Sequence, residues 1–176
     1  NTEGLRDFHE KDPMKKLLEQ LNRLRINKKI NKPLILKISP DLNDSDTSNI
    51  VELIFKYKFD GLIISNTSDS NREKLTDTKK NEKGGLSGEP IKDLSTKLIK
   101  KFYNQTNKKI PIIGVGGVDS GKSAYEKITA GASAVQLYTG MVYKGPGVVK
   151  EIKKDLIFTL KKDKIKNIAD AVGINA

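Results

Sequence analysis

Strands and helices alternate along this chain in the order that a parallel α/β fold requires. Three observations carry the reading. Four short, almost continuous apolar runs recur: "KPLILKIS" (32–39), "DGLIIS" (60–65), "IPIIGVGG" (110–117) and "ASAVQLYT" (132–139). Runs of that kind, rather than alternating ones, mark strands buried on both faces. A helical pattern follows each run, and another precedes the first. Four strand–helix rounds match half of a (β/α)₈ TIM barrel, whose complete form takes about 250 residues, or else a small open sheet.

Each element has its own warrant. "DPMKKLLEQLNRLR" opens a helix with Asp12 as N-cap and Pro13 at the first helical position. After the first strand, a helix starts near Asp44 and carries Ile50, Val51, Leu53, Ile54 and Tyr57 on its apolar side. Residues 68–83, "SDSNREKLTDTKKNEK", are polar, charged and aperiodic, so a mobile loop is expected there. The next helix runs from about Asp93 with Leu94, Leu98, Ile99 and Phe102, and another from about Ser120 with Ala124, Tyr125 and Ile128. "GPGVVKEIKKDLIFTLKK" is an amphipathic helix with Val148, Val149, Ile152, Leu156 and Leu160 inward.

Composition narrows the function. The length of 176 residues suits one domain with a real core. No apolar run approaches the roughly 18 residues that span a bilayer, and "NTEGLRDFHEKD" is not a signal peptide. Cysteine is absent, which excludes disulfides, thiolate metal sites and a cysteine nucleophile. His9 is the only histidine and has no ligand pattern near it, so no metal is expected. The net charge of +11 comes mostly from lysines spread over helices, as in "KLIKKFY" and "KEIKKDL". Few aromatics are interleaved and no nucleic-acid module is visible, so the charge reads as solvated helix faces and no nucleic-acid partner is expected.

Phosphate chemistry is the stronger signal. Gly116 to Ser123 formally matches G-x-x-x-x-G-K-S, the nucleotide-binding P-loop. A P-loop also needs a Walker B strand ending in Asp, whereas the one strand that follows ends in Thr-Gly. The competing reading uses two strand ends. Barrels often bind phosphate between the loops after strands seven and eight, which here bring Gly116 and Gly117 beside Tyr138, Thr139 and Gly140. Glycines let backbone N–H groups approach phosphate oxygens with no Cβ in the way. Other strand ends add to this. Lys37 sits inside a strand, where an ammonium needs either a rim position or an anion to face. Ser65, Asn66 and Thr67 end the second strand, and "GGLSG" (84–88) adds a second glycine nest around Ser87. Together these suit a phosphorylated cofactor with a polar, electron-accepting ring. A non-redox barrel enzyme acting on a phosphorylated metabolite is the alternative.

The motifs "NT-GLRD", "LKISPDL", "DGLIISNT", "GGLSG-P", "IPIIGVGGVDSG", "EKI-AGAS-VQLYTG", "KGP" and "ADAVG" occur in order over residues 1 to about 173. In them the chain resembles the C-terminal part of class 2 dihydroorotate dehydrogenases. The resemblance implies the last four units of an FMN-binding (β/α)₈ barrel, with residues 1–176 forming part of one domain. It implies oxidation of dihydroorotate to orotate in pyrimidine synthesis, with electrons passed to a quinone. Lys37, Ser65, Asn66, Ser87, Gly88, Gly116, Gly117, Tyr138 and Thr139 would hold the cofactor. Lys37 would face the flavin edge where negative charge grows, and the Ser87 to Thr139 group would hold the ribityl phosphate. Asn1, Asn66 and Thr67 would bind substrate. Thr2 would support the catalytic base, a serine upstream of Asn1. Glu3 stands where the family has Pro or Ala. Tyr138, Val142 and Pro146 would lie toward the quinone path. Membrane contact would come through N-terminal helices upstream, at the mitochondrial inner membrane in a eukaryote or the cytoplasmic membrane in a bacterium. The N-terminal half of the barrel would complete the site.

Overall fold

The computed structural model describes residues 11–70 and 72–176. The order is α1 (Lys11–Asn27), β1 (Ile35–Ile38), α2 (Asp44–Lys56), β2 (Gly61–Ile64), α3 (Lys92–Gln105), β3 (Ile112–Gly114), α4 (Gly121–Thr129), β4 (Ala134–Val135), α5 (Thr139–Lys144) and α6 (Val148–Lys162). All three strand pairings are parallel, in the order β1-β2-β3-β4. This is the βα repeat that the apolar runs predict.

The strands are shorter than those runs. β1 is bounded by Pro33, which has no N–H for a ladder, and by Ser39-Pro40. Among the described residues β4 pairs only with β3, in a register of two residues, Ala134 and Val135. Tyr138 and Thr139 therefore lie beyond the strand, in the turn that starts α5. The sequence gives α5 no signal, because it buries none of its residues and so needs no apolar stripe. Asp12 is another difference. The helix already includes Lys11, so Asp12 lies within its first described turn, where its charge still suits the positive helix end.

Side-chain alternation separates the two faces of the sheet. Ile38, Leu62, Ile64 and Ile112 point to the helix side and are fully buried. There they meet Met14 and Leu18 of α1, Ile50, Leu53 and Ile54 of α2, and Leu98, Ile99 and Phe102 of α3. A second cluster joins Ala124 of α4 to Val148 and Ile152 of α6 over Val118. Val149, Leu156 and Leu160 are half-buried, as is Tyr125, whose hydroxyl donates to Asp163 Oδ2 at 2.6 Å. The other sheet face carries Ile35, Lys37, Ile63, Ile113 and Ala134, with Lys37, Ile63, Ile113 and Ala134 in one register row. No helix among the described residues covers that face; Ile35 and Lys37 are exposed and Ile63 and Ile113 half-buried.

Candidate functional site

The carboxyl ends of the four strands open into a cleft of about 1150 Å³. Backbone pairing continues past the strand ends and fixes what lines it. Ser65 N–H donates to the Val115 carbonyl at 3.0 Å, and Asn66 N–H to the Ile38 carbonyl at 2.8 Å. Ser65, Val115 and Gln136 lie two residues beyond Ile63, Ile113 and Ala134, and all three line the cleft. Gln136 carries a polar amide there that the apolar run "ASAVQLYT" conceals.

Ten residues singled out from the sequence share this one cleft: Lys37, Ser65, Asn66, Thr67, Ser87, Gly88, Gly116, Gly117, Tyr138 and Thr139. Lys37 comes from β1 and forms no hydrogen bond or ion pair with another described residue. Ser65 is buried and its hydroxyl donates to the Asn66 carbonyl at 3.0 Å. Thr139 Oγ1 donates to Ser87 Oγ at 2.9 Å, joining the glycine-rich loop before α3 to the start of α5. Val142 and Pro146 are exposed and do not line the cleft. Tyr138, the residue just before α5, and Val142 within it are both largely exposed. Asn1, Thr2, Glu3 and His9 lie outside the described residues.

Gly116 and Gly117 have φ of 112° and 70°, a conformation that disfavours any side chain. Their N–H groups form no hydrogen bond with another described residue. Consecutive free N–H groups of this kind form an anion-binding concavity.

The P-loop match resolves into a helix cap. Ser120 and Ser123 form a capping box at the start of α4. Ser123 Oγ accepts from the N–H groups of Asp119 and Ser120 at 3.0 and 3.1 Å, and donates to Asp119 Oδ1. That hydroxyl is therefore committed and cannot serve a magnesium ion. Lys122 is exposed on α4 and lies outside the cleft lining. Lys122→Ala is thus expected to change stability by no more than about 0.5 kcal/mol. It should also leave ATP and GTP affinity, read by titration calorimetry of the full-length protein, at the parent level. Nucleotide binding that disappears with Lys122 would restore the P-loop reading.

Side-chain bonds link the loops around the cleft to their neighbours. Lys144 Nζ donates to the carboxylate of Asp119 at 2.9 Å and to its carbonyl at 3.0 Å, fastening α5 to the loop after Gly117. That bond holds the Asp119 carboxyl below its usual range. In the polar 68–83 segment, Arg72 donates to the carbonyls of Lys80, at 2.8 Å, and of Gly84. Asp41 anchors the start of the segment, accepting from Ser68 Oγ at 2.6 Å and from Asp69 N–H at 2.9 Å. Lys79 and Lys83 line the mouth of the cleft, positions that a charge-rich loop sequence could not reveal.

A four-stranded parallel sheet with a glycine-lined cleft at its carboxyl edge fits part of a (β/α)₈ barrel. A family model described as dihydroorotate dehydrogenase matches residues 1–160. The chain belongs to the dihydroorotate dehydrogenase family. It is 44% identical over 182 residues to the dihydroorotate dehydrogenase (quinone) of Trichodesmium erythraeum, covering 99% of this chain and 47% of the relative. It is also 44% identical to the protein named dihydroorotate dehydrogenase (quinone), mitochondrial, of Mus musculus, covering 99% and 45%. The crystal structure of ligand-free type DHODH from Eimeria tenella superposes with a TM-score of 0.88 at 37% identity, covering 99% of this chain and 53% of that one. The chain spans about half the length of the curated relatives it matches.

Proposed function

We propose that this chain forms the phosphate-binding half of a quinone-linked dihydroorotate dehydrogenase. The whole protein oxidises dihydroorotate to orotate and passes the electrons to a quinone. The observation that carries this reading is convergence. Ten residues implied by resemblance, drawn from all four strand ends, line a single cleft.

FMN fits the donor set. The unpaired N–H groups of Gly116 and Gly117, with the hydroxyls of Ser87 and Thr139, suit a phosphate. Ser65, Asn66 and Lys37 suit the polar edge of a flavin ring. When bound, FMN supplies the hydride-accepting centre. The chain's own residues bind and orient. Lys37 holds a fixed positive charge, Asn66 and Thr67 offer hydrogen bonds to substrate, and the glycine turn holds the anion. Asn1, with Thr2 beside the base, and an upstream serine as that base complete the substrate side.

Tyr138, Val142 and Pro146 form the quinone-facing edge. Among the described residues no helix is long and apolar enough to cross a membrane. In this proposal N-terminal helices bring the enzyme to the mitochondrial inner membrane in a eukaryote, or the cytoplasmic membrane in a bacterium. The uncovered sheet face and the single-partner edges of β1 and β4 match a requirement for four further barrel units.

Spectroscopy of the purified full-length protein tests this. It should show an oxidised flavin spectrum, bleach with dihydroorotate in the absence of oxygen, and recover on addition of a short-chain quinone. A colourless protein that takes up no FMN would favour the non-redox barrel enzyme.

A further inference from the structure

Lys127 is a buried lysine with no carboxylate partner. Its side chain on α4 has 0% exposure, and no acid forms an ion pair with it among the described residues. Its stem passes β3 where Gly114 leaves room; a Cβ on Gly114 would sit 3.2 Å from Lys127 Cδ. The ammonium has three N–H donors, and three neutral acceptors in the first turns of α3 receive it. They are the Lys92 carbonyl at 3.3 Å and the hydroxyls of Ser95 and Thr96, each at 3.1 Å. Burying a cation this way is costly, and an apolar side chain of the same shape would avoid that cost.

Two of the three residues that Lys127 grips, Lys92 and Ser95, also support the anion cradle. Ser95 Oγ donates to the Val115 carbonyl, just before the glycine turn. A Cβ on Gly116 would lie 3.1 Å from Ser95 Cβ, and one on Gly117 would lie 2.5 Å from Lys92 Cβ. The Gly116–Gly117 turn is thus laid directly on the pair that the ammonium holds. The sequence hides this, since a lysine in "YEKIT" reads as part of a solvated helix face.

We propose that Lys127 is a positioning residue for the anion end of the cleft. Through Lys92 and Ser95 it holds the Gly116–Gly117 turn in the shape that receives a phosphate, and it places a buried positive charge behind that turn. The proposal rests on the reading of the cleft as an FMN site.

The test compares FMN with riboflavin, which lacks only the phosphate. Dissociation constants of both are measured by flavin fluorescence on the apo form of the full-length protein, for the parent, Lys127→Met and Ser95→Ala. Lys127→Met should weaken FMN about tenfold or more, the scale of a lost hydrogen bond to a charged group. Riboflavin affinity should stay within about twofold, as for a change remote from its contacts. Ser95→Ala should lower the FMN-to-riboflavin ratio in the same direction, and it carries the test alone if Lys127→Met does not fold. Equal losses for both flavins, or unchanged FMN affinity, would overturn the proposal. A parent protein that binds neither flavin would instead overturn the FMN reading.

Discussion

Replacing Lys37 with alanine in the full-length protein is expected to slow dihydroorotate oxidation by about two to three orders of magnitude. Lys37 shares a register row with Ile63, Ile113 and Ala134, so its ammonium rises from an otherwise apolar face. Once the remaining barrel units cover that face, little water screens the charge, and fixed charges there act more strongly than at a surface. No described residue neutralises it, so its field is directed at whatever the cleft holds. Such a preorganised cation stabilises negative charge that grows during reaction, and losing it typically costs about 3–4 kcal/mol. In the proposed function the phosphate is held by the Gly116–Gly117 turn rather than by Lys37, so the variant is expected to keep that contact. Flavin content should therefore survive while single-turnover reduction by dihydroorotate slows. Reduction at the parental rate would make Lys37 an ordinary rim lysine.

Legibility from sequence followed the physics of each element. The strands were readable because burial on both faces demands continuous apolar runs, and "GLII" and "PIIG" have no other sensible reading. Helices α2 and α4 start where their apolar periods place them, near Asp44 and Ser120, and the structure adds capping boxes of Asn43 with Asp46 and Ser120 with Ser123. The cleft followed from the fold itself. In a parallel sheet every strand delivers its carboxyl end to the same side, so small and polar residues placed there must converge. The failures have equally specific causes. Helix α5 carries glycines at both ends and buries nothing, so no period marks it. Arg72 sits in a charge-rich segment, and only the carbonyls it bridges reveal its part in shaping the loop. Lys127 has ordinary neighbours in sequence and unusual ones in space. Its one sequence trace is Gly114, a strand glycine whose missing side chain makes room for a stem arriving from the next helix.

The same lysine should leave a signature in the pH dependence of stability. Burial lowers the Lys127 pKa from 10.5 to about 8. Glu126 on its own helix and Asp93 on α3 act weakly against that fall, while Lys92 on α3 adds to it. The folded pKa lies below the unfolded one, so between about 8 and 10.5 the unfolded chain binds more protons than the folded one. Stability attributable to this group therefore rises with pH across that window and is flat on either side. Each pKa unit corresponds to about 1.4 kcal/mol, which makes the full change about 3 kcal/mol. Lys127→Met is neutral at every pH and shares all the other titrating groups. The stability of the parent relative to Lys127→Met, from urea denaturation of the full-length protein, should thus climb by about that amount from pH 7.5 to pH 10.5. Deprotonation does not dismantle the network, because a neutral amine keeps two donors for the three acceptors, and the Ser95 and Thr96 hydroxyls go on donating to the Val115 and Lys92 carbonyls. A difference that stays level or falls with pH would show that the ammonium is not desolvated. A rise of the expected size would mean that below pH 8 the fold carries a destabilising charge, set beneath the turn where an anion would bind.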